Sequence, residues 1–162
     1  MKKIVPVLFL LLSVKAFSEG MPEKQVEVKF RDFSWGTTMQ DFIAKEGIPY
    51  KTENQDEFQS IKYEKIEVSG YETTMIAVFS LSRLVSGSYS IKCKNMRALN
   101  TIFDDLALKL SVVYGTPVSS GNTGKTKTVQ WLYTDGYITL LANEREKKVV
   151  LLYMSPGLFH RD

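Results

Sequence analysis

Thr128-Val129-Gln130-Trp131-Leu132-Tyr133-Thr134-Asp135-Gly136-Tyr137-Ile138-Thr139-Leu140-Leu141-Ala142-Asn143 reads as two short strands folded back on each other. Thr128 to Thr134 is rich in β-branched and aromatic side chains, and Tyr137 to Asn143 resumes the same character. Asp135-Gly136 between them tolerates the positive φ angles that a two-residue hairpin turn demands. So short a connection joins antiparallel strands only, because a parallel pair needs a long crossover. On strict alternation Val129, Trp131 and Tyr133 share one face, with Gln130 and Leu132 on the other.

Outward from this hairpin, the polar turn Glu144–Lys147 leads to a third strand, Lys148 to Met154. Upstream, Ser119 to Lys127 reads as a loop. Before it, Leu99, Ile102, Phe103, Leu106, Leu110 and Val113 recur at the spacing of one helical stripe. Asn95 or Asn100 is placed to cap that helix, Asp104 and Asp105 to meet the positive end of its dipole, and Gly115 and Pro117 to end it.

The first half of the chain follows the same plan. Val26, Val28 and Phe30 alternate with charged residues as a short strand or extended segment. Thr37 or Thr38 caps a helix carrying Met39, Phe42 and Ile43, with Trp35 packed beneath its start; Gly47 and Pro49 stop it. After a polar loop, Asn54 to Gln59, three strands are expected: Ile61–Val68, Thr73–Leu81 with Met75, Ala77, Phe79 and Leu81 on one side, and Leu84–Cys93 with a bend at Gly87. Gly47-Ile48-Pro49 and Gly115-Thr116-Pro117 lie 68 residues apart, and that offset sets Ile61 on Val129 and Tyr63 on Trp131. The expectation is an α+β domain with an internal repeat, residues 30–93 and 97–154. Two helix–three-strand units form antiparallel sheet with both helices on one face.

The run Trp35-Gly36-Thr37-Thr38-Met39-Gln40-Asp41-Phe42, closed by Gly47-Ile48-Pro49, resembles the helix signature of BamE-like and β-lactamase-inhibitor-like exported domains. The resemblance covers about 20 residues and the element order of the rest. It implies a binding or scaffold role on other exported or outer-membrane proteins. The chain departs from BamE in lacking a lipid-anchor cysteine, and its two helix–sheet units resemble the duplicated inhibitor layout more closely.

Met1-Lys2-Lys3, the apolar run Ile4–Leu12 and the small residues Ala16 and Ser18 form the three zones of a secretory leader, cut between Ser18 and Glu19. The apolar run is too short for a membrane span, which takes about 20 residues as a helix. A single domain, residues 19–162, then remains. Without Lys2, Lys3 and Lys15 the body holds 18 basic and 18 acidic residues, so no basic excess points to nucleic acid. The charge is uneven: 12 acids against 7 bases from Glu19 to Ser80, and 6 against 11 from Leu81 to Asp162. Cys93 is the only cysteine, and alternation places it with Tyr89 and Ile91 on a buried face.

Chemistry-bearing patterns are sparse. Gly121-Asn122-Thr123-Gly124-Lys125-Thr126 has Ser119 where a phosphate loop needs its first glycine, and it follows a helix instead of opening one. His160 is the single histidine, two residues from the end, so neither a triad nor a zinc site is expected. Asp104 and Asp105 point about 100° apart on a helix. Glu64 and Glu67 are candidates to meet other acids across the sheet as a glycosidase-like carboxylate pair.

These readings converge on an exported, non-enzymatic binding or structural domain without a cofactor, contacting a protein partner of the cell envelope. If the helices cover one sheet face only, Tyr63, Trp131 and Tyr133 are candidates for a contact surface on the other, since aromatic side chains give large contact area at low entropic cost. The alternatives are an envelope-polymer hydrolase using paired carboxylates, and a small-molecule carrier with a cavity between sheet and helices.

Overall fold

The computed structural model describes residues 27–158. The cleavage site at Ser18 and Glu19, and His160, lie outside the described residues. Helix α1 (Met39–Glu46) is followed by β1 (Lys51–Gln55), β2 (Phe58–Val68), β3 (Tyr71–Ser80) and β4 (Arg83–Lys92). Helix α2 (Met96–Tyr114) is followed by β5 (Ser119–Thr123), β6 (Thr126–Tyr133), β7 (Gly136–Asn143) and β8 (Lys148–Met154), with a short 3-10 turn at Pro156–Leu158. All eight strands form one antiparallel sheet in the order β1-β2-β3-β4-β8-β7-β6-β5. Each set of four is laid down in sequence order, and the two sets join where their last strands, β4 and β8, pair.

The units are therefore helix–four-strand, not helix–three-strand. Of the extra strands, β5 lies within the stretch read as the Ser119–Lys127 loop, and β1 covers residues before the expected Asn54–Gln59 loop and its first two positions. Both are exposed along their whole length, so they carry no apolar alternation. Only backbone pairing to β2 and β6 makes them strands, and that leaves no mark on side-chain pattern.

Caps follow local chemistry. The Thr38 side chain accepts the N–H of Asp41 to open α1, and Asn95 accepts that of Ala98 to open α2. Gly47 and Gly115 take positive φ at the helix ends. Asp104 and Asp105 do not sit at the positive dipole end, because α2 begins at Met96 and they fall in its middle. Asp105 instead pairs with Lys109 at 2.8 Å and accepts the Tyr71 hydroxyl at 2.8 Å.

Both helices lie on one face, where the core forms from Phe42 of α1, Leu99, Phe103, Leu106 and Leu110 of α2, and the inward rows of the sheet. Val113, expected on the same stripe, is exposed. Residues 27–33 cross the centre of this face in place of a strand. Val28 lies on Gly136, where a Cβ would come within 2.7 Å of its side chain. Phe30 lies on Gly87, where a Cβ would fall 2.2 Å from its ring. Phe30 packs against Tyr89, Tyr153 and Phe42.

These two contacts correct two expectations. Gly87 makes room for Phe30, and the register shift in β4 falls earlier, opposite Val78 and Phe79. The β6–β7 turn residues are Thr134 and Asp135, since Gly136 already pairs with Tyr133. Asp135 ties the crossing segment down: its carboxylate accepts the Val28 N–H at 2.9 Å and its carbonyl accepts the Trp35 indole N–H at 2.8 Å. Trp35 thus reaches the hairpin. Leu81 is exposed in a two-residue turn with Ser82, both at positive φ, instead of continuing the β3 face.

Candidate functional site

The same pair of hydrogen bonds recurs 68 residues apart. Tyr63 donates its hydroxyl to the Gly47 carbonyl at 2.9 Å, and 68 positions on Trp131 donates its indole N–H to Gly115 at 2.9 Å. Tyr50 N–H donates to the Lys62 carbonyl at 2.8 Å, and Val118 N–H to that of Gln130 at 2.8 Å. The bonds from Tyr63 and Trp131 satisfy carbonyls at the helix ends, which have no partner within the helix.

Tyr63 and Trp131 therefore serve the helix-covered side. Both are buried, Trp131 to 1% exposure, and neither offers a ring to a partner on the open face. Tyr133 shares their alternation, is partly buried, and donates to the Tyr114 carbonyl. Alternation put Trp131 and Tyr133 on one face and the 68-residue offset set Tyr63 on Trp131; neither says which face the helices take.

The open face is carried by the other residues of each strand. Register aligns Ile76 and Val78 of β3, Ser86, Ser88 and Ser90 of β4, and Val150, Leu152 and Met154 of β8. Tyr137, Thr139 and Leu141 of β7 and Gln130 and Leu132 of β6 continue the surface. With Thr74 and Thr128 this makes a field of fifteen positions over five adjacent strands with no charged residue. Most of these side chains are partly exposed, and Leu132 is 52% exposed. Charges sit at its margins: Lys62, paired with Glu64 at 2.9 Å, and Lys92 and Lys148 at the strand ends.

At the β6–β7 side of this field lies a hollow of about 420 Å³, lined by Val118, Gln130, Leu132, Tyr137, Thr139 and Met154, with Trp131 contributing. Its polar groups are amide and hydroxyl: Gln130 accepts from Ser119 and donates to Thr139. A second, charged hollow holds Glu64 and Glu72 together with Lys65 and Lys92. Glu67 stands opposite Glu72 in the β2–β3 register and does not line that hollow.

Other reactive groups are held quiet. Burial pushes the Cys93 thiol up, and its sulfur lies 3.8 Å from the Ile91 carbonyl. Under the helices burial pushes the Tyr89 phenol up to about 12, and that of Tyr153 higher still. Arg31, 2.8 Å from Glu46, opposes the shift at Tyr89. The Gly121–Thr126 segment spans the β5–β6 turn. Among the described residues no cluster of three or more His, Cys, Asp or Glu is placed to hold a metal ion. No described helix is long and apolar enough to cross a membrane.

Comparison with protein-family models, curated proteins and solved structures finds no match to this chain.

Proposed function

We propose that this chain is an exported, non-enzymatic binding or structural domain that holds a protein partner of the cell envelope on the uncovered face of its sheet. The observation that carries the reading is the charge-free field across β3, β4, β8, β7 and β6. A sheet face left to water alone takes charged side chains readily, whereas interface cores are depleted of charge and enriched in apolar and aromatic groups. The mixture here, Leu, Ile, Val, Met and Tyr alternating with Ser and Thr, suits a surface that must stay soluble alone and desolvate on contact. Export rests on the leader pattern of Met1 to Ser18. The hollow on the solvent side of the sheet, outside the helix–sheet layer, favours a protein contact over a carrier cavity.

The test is affinity capture of the mature chain from its own envelope, comparing wild type with Leu152→Glu and Val150→Glu at the centre of the field. Specific retention by the wild type, lost in both variants while their melting temperatures hold, supports the reading. Retention unchanged by both substitutions refutes it.

A further inference from the structure

The two edges of the sheet are equivalent strands with different chemistry. β1 and β5 each hold five residues, all exposed, and the 68-residue offset sets Lys51 on Ser119, Glu53 on Gly121 and Gln55 on Thr123. β1 carries an ion pair between Lys51 and Glu53. β5 has no charge, no proline and no irregularity in its pairing with β6. Charged side chains on an edge strand keep its unpaired backbone groups from joining another chain, so one edge is guarded and the other is not. Gly121 sharpens the contrast. Its φ is not positive, and a Cβ there would meet nothing within 4 Å, so neither a turn nor packing within the chain calls for glycine. Glycine inside a strand weakens it, and often marks a place where another backbone approaches closely. The two-residue turn Gly124–Lys125 makes Thr123 and Thr126 a hydrogen-bonded pair, and the alternation of an antiparallel ladder then turns the N–H and C=O groups of Ser120 and Asn122 outward. Among the described residues no further strand lies beyond β5 to meet them.

We infer that β5 pairs antiparallel with β5 of a second copy of this chain, about a twofold axis through Gly121, joining two eight-stranded sheets into one. In that register Ser120 of each copy exchanges hydrogen bonds with Asn122 of the other, and Ser119 lies opposite Thr123, a favourable cross-strand pair. Gly121 faces Gly121 at the close, non-hydrogen-bonded position, where Cα atoms approach to about 4.5 Å. The same operation on β1 sets Glu53 directly against Glu53, and like charges so placed are destabilising. Self-pairing is thus open at one edge and opposed at the other, which gives a closed pair of chains and not a fibre. The join also carries the charge-free face onward: Ser119 donates to Gln130 at 2.9 Å, so the fields of the two copies meet across β5. The pairing uses the sheet edge and does not depend on the platform reading.

The test is the mass of the mature chain by sedimentation velocity over a concentration series, with amide hydrogen exchange followed by NMR on the same samples. An edge of five residues makes a small interface, so the wild type is expected to pass from one chain to two with a dissociation constant on the order of 100 μM. Gly121→Glu copies the residue of the guarded edge, and Asn122→Pro removes an outward N–H at an edge position that accepts proline. Both abolish the two-chain species while their melting temperatures hold. Leu152→Glu, on the open face, leaves it intact. In the wild type the Ser120 and Asn122 amides exchange more slowly as the two-chain species fills, and this readout decides the matter should either edge variant unfold. A wild type that stays a single chain well above that constant, or a mass that grows beyond two chains, overturns the inference. So does pairing that survives both edge substitutions or is lost in Leu152→Glu, and so does unchanged exchange at Ser120 and Asn122.

Discussion

Truncating Trp131 separates the two faces of β6. Trp131 is among the largest fully buried side chains, and its indole N–H is bonded to the Gly115 carbonyl at 2.9 Å. Replacing a buried Trp by Ala costs about 3–5 kcal/mol through lost burial and the cavity left behind. The orphaned carbonyl at the α2 end adds about 1 kcal/mol. At roughly 4 °C per kcal/mol for a domain of this size, Trp131→Ala lowers Tm by about 15 °C or more. The neighbouring Leu132→Ala, on the other face and half exposed, falls within about 0.5 kcal/mol and shifts Tm by about 2 °C. Differential scanning calorimetry on the pair, with acrylamide quenching of the Trp131 fluorescence in a Trp35→Phe background, decides the matter. A drop of under 3 °C for Trp131→Ala, or ready quenching of Trp131, would falsify the assignment of helix-covered and open faces. A larger drop for Leu132→Ala would invert it.

Other outcomes follow from the same geometry. Gly87→Ala forces a methyl against the Phe30 ring and costs about 1–3 kcal/mol; a melting temperature equal to wild type would mean that residues 27–33 do not lie where described. The Tyr89 phenol is held neutral in the fold up to about pH 12, while an unfolded tyrosine ionises near 10. The stabilisation is therefore whole below pH 10 and is lost between pH 10 and 12 at about 1.4 kcal/mol per pH unit; the expected outcome of urea titrations across this range is a shallower slope for Tyr89→Phe, and an unchanged slope would refute the assignment. Leu81 and Ser82 sit at positive φ in the β3–β4 turn, so Leu81→Asn with Ser82→Gly stabilises by roughly 0.5–1 kcal/mol; destabilisation would show that the exposed Leu81 side chain makes a needed contact.

Much of the architecture was legible in one dimension. The stripe through Leu99, Phe103, Leu106 and Leu110 specified α2, because a helix repeats every 3.6 residues and only one face is buried. Asn95, Thr38, Gly47 and Gly115 marked helix ends, because capping is a bond between near neighbours. The 68-residue offset sets Tyr63 on Trp131, and each donates to the glycine carbonyl just past a helix, Gly47 or Gly115.

What stayed hidden was set by long-range contact. β1 and β5 exist only as partners of β2 and β6. Gly87 and Gly136 are small because Phe30 and Val28 cross them from far along the chain. Period-two alternation divides β6 into Val129, Trp131 and Tyr133 on one side and Thr128, Gln130 and Leu132 on the other, and an aromatic set suits either a core or a contact surface. Pattern alone therefore does not choose which set meets the helices. The packing of α1 and α2 made that choice, burying Tyr63 and Trp131 and leaving Leu132, Leu152 and Met154 toward solvent. The charge-free field appears only when five strands, drawn from both halves of the chain, are laid side by side in register, since no single segment contains it.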